Sequence, residues 1–261
     1  MITICSRDNK VLKLARSLQK KKNRYAEGLY FAEGVRMVSE ALRDAKEQIR
    51  AVLIAEEFAK KHEDFVKKID IDDELVYTVK DHLFAGICDT ETPQGVGVLL
   101  KMPQNQPDFA EKESFILALD GVSEPGNLGT MIRTAEAAGV DCVWLLCGCA
   151  DLYNPKVVRA TMGSVFRVSC KTGVERAALF DYQKQGFFVT ATALGDSVPL
   201  GAATRTEKQI LVIGSEAAGV SEEILSRADQ RVRIPMQGKV ESLNAAVAAG
   251  IAMYQIRHNT I

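Results

Sequence analysis

The sequence has few of the residues from which metal and redox sites are usually built. Its 261 residues include three histidines and six cysteines. The histidines show no paired spacing and no Cys-x-x-Cys pair occurs, although such spacings are typical of zinc ligands and redox motifs. Because several cysteines lie in apolar, strand-like runs, we interpret them as buried free thiols and expect no metal site.

Long apolar runs are missing as well. The longest, Cys142–Cys149 and Ala245–Met253, are much shorter than the roughly 20 residues that span a bilayer as a helix. The first residues show no apolar signal core followed by a cleavage site of small residues. We therefore expect a protein that does not embed in a membrane and that is located in the cytoplasm.

Several fingerprints of nucleotide and ester chemistry are also absent. The chain contains neither Gly-x-x-x-x-Gly-Lys-Ser/Thr nor a Gly-x-Gly-x-x-Gly directly after a strand. It has no Gly-x-Ser-x-Gly nucleophile turn. These absences argue against P-loop nucleotide hydrolysis, and they disfavour an ordinary nucleotide-dependent enzyme of doubly wound fold.

What is present is the composition of an ordinary globular protein, with 47% apolar and 26% charged residues. A length of 261 residues is compatible with one large domain or two smaller ones. The best boundary is the polar segment Met102–Asp108, which contains two prolines and no apolar period. We predict a first domain at 1–105, a linker at 106–113 and a second domain at 114–261.

The first domain is predicted to be a small α/β unit. Residues 9–45 have apolar residues at near-helical spacing, with an interruption around 27–29. Alternating, strand-like segments follow at Ile49–Ala55, Glu74–Val79 and Gly95–Lys101.

In the second domain, strands and helices alternate. The predicted helices are Gly129–Ala138, a helix through Met162 that Asn154 caps, and a last helix from Ser242 to His258. The predicted strands are Phe115–Leu119, Cys142–Leu146, Val165–Ser169, Phe187–Ala193, Ile210–Ile213 and Val232–Ile234. Consecutive β-α-β units imply an α/β fold, with a mostly parallel sheet and helices on both faces. Ligands of such sheets bind outside the carboxyl ends of the strands.

Positive charge is concentrated at the start of the chain. Residues 1–50 contain 12 Lys and Arg against 6 Asp and Glu, whereas residues 51–110 contain 6 against 12. The pattern fits either a surface for a polyanion or a solvated basic helix face, and the charges alone do not decide. The candidate phosphate-binding residues are Lys10, Lys13, Arg16, Lys20, Lys21, Lys22 and Arg24.

Three loops that follow predicted strands are unusual. Asp120–Gly129 leads into a helix with Arg133 in its predicted first turn, which suits an anion or is simply a turn with a surface arginine. Gly214–Gly219 carries Glu216, which either contacts a ligand or caps a helix that begins near Ser221. The third segment runs from Ile234 to Asn244. Within it, Ser242 is predicted to be the N-cap of the last helix.

Together, in this order and spacing, the loops resemble the SpoU/TrmH family of the SPOUT class of RNA methyltransferases. The segments that carry the resemblance are Asn127–Arg133, Asn154–Gly163, Phe166–Val168, Ile213–Gly219, Ile234–Met236 and Glu241–Asn244. The match covers 114–261. Leu29–Gly34 and Thr92–Val96 are similar to the family's accessory RNA-binding domain, which has a ribosomal-protein L30e-like fold.

This resemblance implies a deep trefoil knot, a homodimer and a site for S-adenosylmethionine. The cofactor-binding residues that it implies are Ala193, Leu194, Gly214, Ile234, Met236 and Leu243. It places Arg133 at the reacting centre and leaves open whether Arg133 also removes the proton of the substrate hydroxyl. It implies further that four residues orient Arg133 and close the site, namely Asn127, Glu216, Ser242 and Asn244.

The implied activity is methylation of a ribose 2′-hydroxyl in rRNA or tRNA. Two alternatives stay open, namely a noncatalytic RNA-binding protein that retains the fold and a SPOUT enzyme that methylates a base. The chain departs from the family pattern at Ser215, where asparagine is commoner, and at Ala245 and Ala246, where the family often has a hydroxyl-bearing residue. Neither change affects Arg133.

Overall fold

A computed structural model describes residues 1–103, 114–240 and 242–258, except for the side chain of His258. The elements of the first part are β1 (Ile2–Ile4), α1 (Lys10–Ser17), α2 (Lys21–Glu27), β2 (Leu29–Glu33), α3 (Val35–Asp44), β3 (Ile49–Ala55), α4 (Glu56–Lys61), α5 (Glu63–Lys67), β4 (Val76–Val79), α6 (Asp81–Ala85) and β5 (Val96–Lys101). Those that follow are β6 (Phe115–Asp120), α7 (Pro125–Ala137), β7 (Cys142–Leu146), α8 (Pro155–Ala160), β8 (Ser169–Val174), α9 (Ala177–Lys184), β9 (Phe188–Thr192), β10 (Val198–Pro199), β11 (Gln209–Gly214), α10 (Glu222–Leu225), β12 (Gln230–Arg233) and α11 (Ala245–His258). The linker predicted at 106–113 lies outside the described residues.

Contacts divide the chain into two compact units. The first consists of Met1–Gln104 with Tyr153–Phe166, and the second of Asn105–Leu152 with Arg167–Ile261. The segment Tyr153–Phe166 therefore packs with the first unit, although it lies within the predicted second domain. Among the described residues, no helix is both long and apolar enough to cross a membrane.

The first unit is built on a mixed sheet with the strand order β1-β4-β3-β5-β2. Strand β3 has the bounds that were predicted for it. Strand β2 was missed, because its residues follow the helical spacing of α2. Gly28 ends α2 in the left-handed conformation, at φ 62°, and Leu29–Glu33 then pairs antiparallel with β5. The pairing buries Tyr30, Phe31 and Ala32, so tertiary packing overrides local spacing.

The second unit contains a seven-stranded sheet with the order β10-β12-β9-β11-β6-β7-β8. All of its described pairings are parallel, and helices flank it, which confirms the predicted α/β class. Strand β7 has its predicted bounds. The strand predicted at Val165–Ser169 is wrong, because Met162 (φ 54°) and Gly163 (φ 101°) turn the chain and residues 164–166 form a 3-10 turn.

Two predicted helix starts are also wrong. Helix α7 begins at Pro125 rather than Gly129, because the carboxylate of Glu124 accepts a hydrogen bond from the backbone N–H of Asn127 at 2.6 Å. Arg133 consequently lies two turns inside the helix and not in its first turn. The N-cap of α11 is Asn244, whose side chain accepts from the N–H of Ala246 at 2.9 Å, and not Ser242.

Gly214, the last residue of β11, is in very close contact with the backbone that follows. A Cβ atom built on Gly214 would lie 1.9 Å from the carbonyl carbon of Gly219 and 2.1 Å from the nitrogen of Val220. Both neighbours are backbone atoms held by the paired residues Ser215 and Gly219, so no side-chain rotation can make room for a methyl group.

We therefore expect Gly214→Ala to lower the free energy of unfolding by at least about 2 kcal/mol, since overpacking forces the backbone to shift. The measurement is urea unfolding of purified protein. Gly201→Ala is the matched control, because a Cβ at Gly201 meets nothing within 4 Å. Equal stability of the two variants would contradict the close contact.

Candidate active site

The loops that the sequence singled out all leave the same edge of the second unit's sheet. Strands β6, β9, β11 and β12 are parallel neighbours, so their carboxyl ends lie side by side. The segments that follow these strands begin at Gly121, Ala193, Ser215 and Ile234. The fold therefore brings together residues that are far apart in the sequence.

Asn127 connects two of these loops to the first turn of α7. Its side-chain amide donates to Glu216 Oε1 at 2.6 Å, and its carbonyl oxygen accepts from Asn244 Nδ2 at 3.0 Å. Glu216 does not cap the helix near Ser221, so the helix-cap interpretation of Glu216 is wrong. Asn244 also caps α11, so one hydrogen-bonded chain joins the beginnings of α7 and α11 to the loop after β11.

A second polar cluster anchors the loop after β6. Asp120 is 3% exposed, and its Oδ1 accepts two hydrogen bonds from Arg176, at 2.9 and 3.1 Å. Its other oxygen accepts from the backbone N–H of Ser221 at 2.8 Å. The hydrogen bond to Asp120 raises the pKa of Arg176 above its usual value. Asp120 thus ties the end of β6 to the chain segment that leads into α10.

The loops surround a cavity of about 900 Å³. All six predicted cofactor-binding residues line it, and they are Ala193, Leu194, Gly214, Ile234, Met236 and Leu243. Glu216, Ser242 and Asn244 line it too. Glu241 of the third motif lies outside the described residues. A cavity of this size, with apolar side chains and a few convergent polar groups, is typical of a small-molecule site.

Charged residues that the sequence analysis missed also line the cavity. Arg231 on β12 donates to Asp196 Oδ2 at 3.0 Å, and both residues belong to the lining, as do Glu222 and Arg233. The alternation of Arg231 and Arg233 along β12 is a sequence signal for these two arginines only, and many solvent-facing strands share it.

Arg133 is exposed on α7 and is not among the residues that line the cavity within the described part. It makes no hydrogen bond or ion pair with the residues that the structure describes. One turn further along α7, Glu136 instead accepts hydrogen bonds from the guanidinium of Arg167. The guanidinium of Arg133 is therefore available to an anionic partner, whereas that of Arg167 is neutralised.

The cysteines are all free. Cys5 and Cys147 are exposed, contrary to the interpretation of buried thiols. Cys149, near the loop after β6, donates to the carbonyl of Leu119 at 3.0 Å, and burial raises its thiol pKa. Cys149 is thus a protonated donor rather than a nucleophile. Among the described residues, no three metal-binding side chains come together.

The predicted phosphate-binding residues separate into two groups. Lys10, Lys20, Lys21 and Lys22 are exposed. The others have contacts within the first unit, since Lys13 pairs with Asp8 at 2.8 Å and Arg16 donates to the carbonyl of Gly86 at 3.3 Å.

Arg24 is not a surface residue. It is 2% exposed and donates to the backbone carbonyls of Leu18 and Gln19, at 2.7 and 2.9 Å. The prediction that Arg24 contacts phosphate is therefore corrected, because its guanidinium satisfies the carbonyls between α1 and α2.

Comparison with family models gives one match for each part of the chain. Residues 114–254 match the SpoU rRNA Methylase family. Residues 9–97 match the MRM3-like substrate binding domain.

Individual proteins of known sequence or structure are similar over nearly the whole chain. The 23S rRNA (guanosine(2553)-2′-O)-methyltransferase RlmP of Bacillus subtilis (strain 168) is 34% identical over 98% of this chain and 100% of its own length. An AdoMet-bound rRNA methyltransferase from Sinorhizobium meliloti is 30% identical, with a TM-score of 0.85 over 99% of this chain and 98% of that one. An RNA 2′-O ribose methyltransferase structure is 26% identical, with a TM-score of 0.82 over 98% of each chain.

The hydrogen bonds of Asp120 to Arg176 and Ser221, which we call the Asp120 anchor, are tested by a double-mutant cycle. We expect Arg176→Met to lower the free energy of unfolding by about 2 kcal/mol, because it leaves a buried carboxylate without its cation. Adding Asp120→Asn should recover part of that loss. Lys184→Met is the control, because its ion pair with Asp181 is exposed and worth little. Additive losses in the Arg176 and Asp120 variants would contradict the coupling.

Proposed function

The chain belongs to the SpoU rRNA methylase family, and on that premise we propose that it transfers a methyl group from S-adenosylmethionine to a ribose 2′-hydroxyl of RNA. The substrate class that we propose is structured rRNA or tRNA. The names of the similar proteins support this proposal, since one is an rRNA 2′-O-methyltransferase and another holds AdoMet.

The observation that carries the proposal is that the cavity shares part of its wall with the hydrogen bonds that Asn127 makes. The six implied cofactor residues line one cavity, and two polar members of the same wall, Glu216 and Asn244, are bonded to Asn127. The residues present suit S-adenosylmethionine, because apolar side chains and backbone groups can hold the adenosyl part while carboxylates face a cationic sulfonium. In this arrangement Leu194, Met236 and Leu243 would contact the adenine.

When bound, S-adenosylmethionine supplies a methyl group that is already electrophilic. The protein must then hold the ribose hydroxyl in line and stabilise the negative charge that develops on its oxygen. We assign Arg133 to this task. Its guanidinium has no intramolecular partner among the described residues, so it can bind the phosphate beside the target ribose and face the developing alkoxide.

Asn127, Glu216, Ser242 and Asn244 are assigned to positioning. Asn127 lies six residues before Arg133 on α7, so its bonds to Glu216 and Asn244 hold the start of that helix against the cavity wall. Ala245 and Ala246 lack a hydroxyl that the family often has at this place. They nevertheless form the first turn of α11, because Asn244 caps that helix. The departure is thus compatible with the proposed site.

We also propose the trefoil knot, a homodimer and a cytoplasmic location for this chain. The dimer is supported by the position of Arg133 outside the lining of its own chain's cavity, because a second copy can bring an arginine to that cavity. Family membership supports the knot, and an RNA substrate supports the location.

The test of the proposal is a methylation assay with radiolabelled S-adenosylmethionine and rRNA or tRNA from cells that lack this gene. The RNA is digested to nucleosides, and the labelled product is identified by chromatography and mass spectrometry. A 2′-O-methylnucleoside is the expected product. A base-methylated nucleoside would overturn the choice of acceptor, and tight RNA binding without any label transfer would indicate a noncatalytic protein.

Arg133→Ala is expected to reduce the turnover number at least about 100-fold, because a charge-stabilising donor is removed from the transition state. Cofactor affinity, measured by calorimetry, should stay within about twofold, because Arg133 is assigned to the RNA phosphate and the developing alkoxide and not to the cofactor. Arg227→Ala, an exposed arginine of the same unit, is the control and should retain activity. Unimpaired turnover by the Arg133 variant would refute its assignment.

The exposed side chains of Lys10, Lys20, Lys21 and Lys22 in the first unit are assigned to RNA phosphates. Replacing Lys20, Lys21 and Lys22 together with alanine should weaken RNA binding and flatten the slope of log affinity against log salt by up to about 2.7, since each lost phosphate contact contributes about 0.7 to 0.9. Cofactor affinity should not change. The control replaces Lys60, Lys61 and Lys68, which are also exposed; an equal loss from both triple variants would remove the assignment.

A further inference from the structure

The exposed basic face of α2 carries an aromatic ring. Tyr25 is 47% exposed, and it is the only aromatic side chain among the large apolar residues that the described part of the chain exposes. Lys21 lies four residues earlier, on the same side of the helix, with its Nζ 5.6 Å from the centroid of the Tyr25 ring. Lys22 is three residues earlier and is exposed as well.

The outward position of the ring is fixed by the residue before it. Arg24 points into the unit, where hydrogen bonds to the carbonyls of Leu18 and Gln19 anchor the helix. Successive helical residues are about 100° apart around the axis, so Tyr25 does not point in the direction of the buried Arg24, and its ring lies on the exposed side of the helix. The ring is thus part of an anchored surface and not of a freely moving segment.

From this arrangement we propose that Tyr25 stacks on an unpaired RNA base while Lys21 and Lys22 bind the phosphates of the same strand. A ring with adjacent cations matches a nucleotide, which presents a flat base and a phosphate together. Paired bases within a duplex are covered by their neighbours, so the proposal names the substrate element as a single-stranded loop, bulge or end. The inference rests on the proposed function and adds the kind of RNA structure that the first unit recognises.

The first experiment measures how tightly the full-length protein binds each of two synthetic probes. One is a 12-nucleotide oligoadenylate, and the other is a 12-residue abasic ribose-phosphate strand of equal charge. Tyr25→Ala should weaken binding of oligoadenylate by about tenfold or more, the range seen when a stacking ring is removed, and should leave binding of the abasic strand unchanged. Tyr25→Phe keeps the ring and should bind like the unchanged protein, whereas Tyr25→Leu should behave like the alanine variant.

A fluorescence measurement reports the stack directly. Trp144 is the single tryptophan of the chain and is fully buried, so Tyr25→Trp adds one exposed reporter to a constant background. Oligoadenylate should quench the new emission, and the abasic strand should not. Thermal unfolding of every variant checks that the helix is intact. If Tyr25→Ala unfolds early, Tyr25→Leu takes its place as the variant without a ring, and the quenching of Tyr25→Trp tests the stack in either case.

The outcomes separate this inference from the proposed function. Equal affinity of Tyr25→Ala and the unchanged protein for oligoadenylate, an equal loss on both probes, or no base-dependent quenching would overturn the stacking. Methyl transfer to RNA would still stand in those cases, because it is measured with S-adenosylmethionine and does not depend on the probes. Failure of the unchanged protein to bind either probe would overturn the stacking together with the lysine assignment.

Discussion

The arrangement of the site depends on one side chain, that of Asn127. An amide can donate and accept at the same time, and Asn127 uses both groups, giving a hydrogen to Glu216 and taking one from Asn244. A carboxylate at this position would repel Glu216, and an apolar residue would leave both loops without a partner. The bonds hold the start of α7, the loop after β11 and the start of α11 in a single arrangement, and the cavity lies between the last two of these.

The parallel sheet makes this convergence possible. Because the central strands of the second unit run in the same direction, each contributes the loop at its carboxyl end to one edge. The Asp120 anchor to Arg176 and Ser221 then holds the loop between β6 and α7. Packing in the sheet fixes where the loops begin, and the hydrogen bonds of Asn127 and Asp120 fix how the loops continue.

Some of this could be predicted from the sequence, and the reasons for success and failure are physical. Strands such as Cys142–Leu146 and Ile49–Ala55 are apolar runs with polar or helical neighbours, and their bounds were correct. The start of α7 was placed too late because Gly126 and Gly129 suggest a loop, whereas the Glu124 carboxylate caps the helix before them. The members of the Asn127 chain were chosen from family resemblance. Their partners were not predictable, because the two bonds join residues 89 and 117 positions apart.

The most direct test of the account is a crystal structure of the protein with S-adenosylhomocysteine, the product that remains after methyl transfer. We expect the ligand to lie in the cavity between the loops after β9, β11 and β12, with the Asn127 bonds to Glu216 and Asn244 intact. Ordered ligand at any other place on the protein, with this cavity empty, would contradict it.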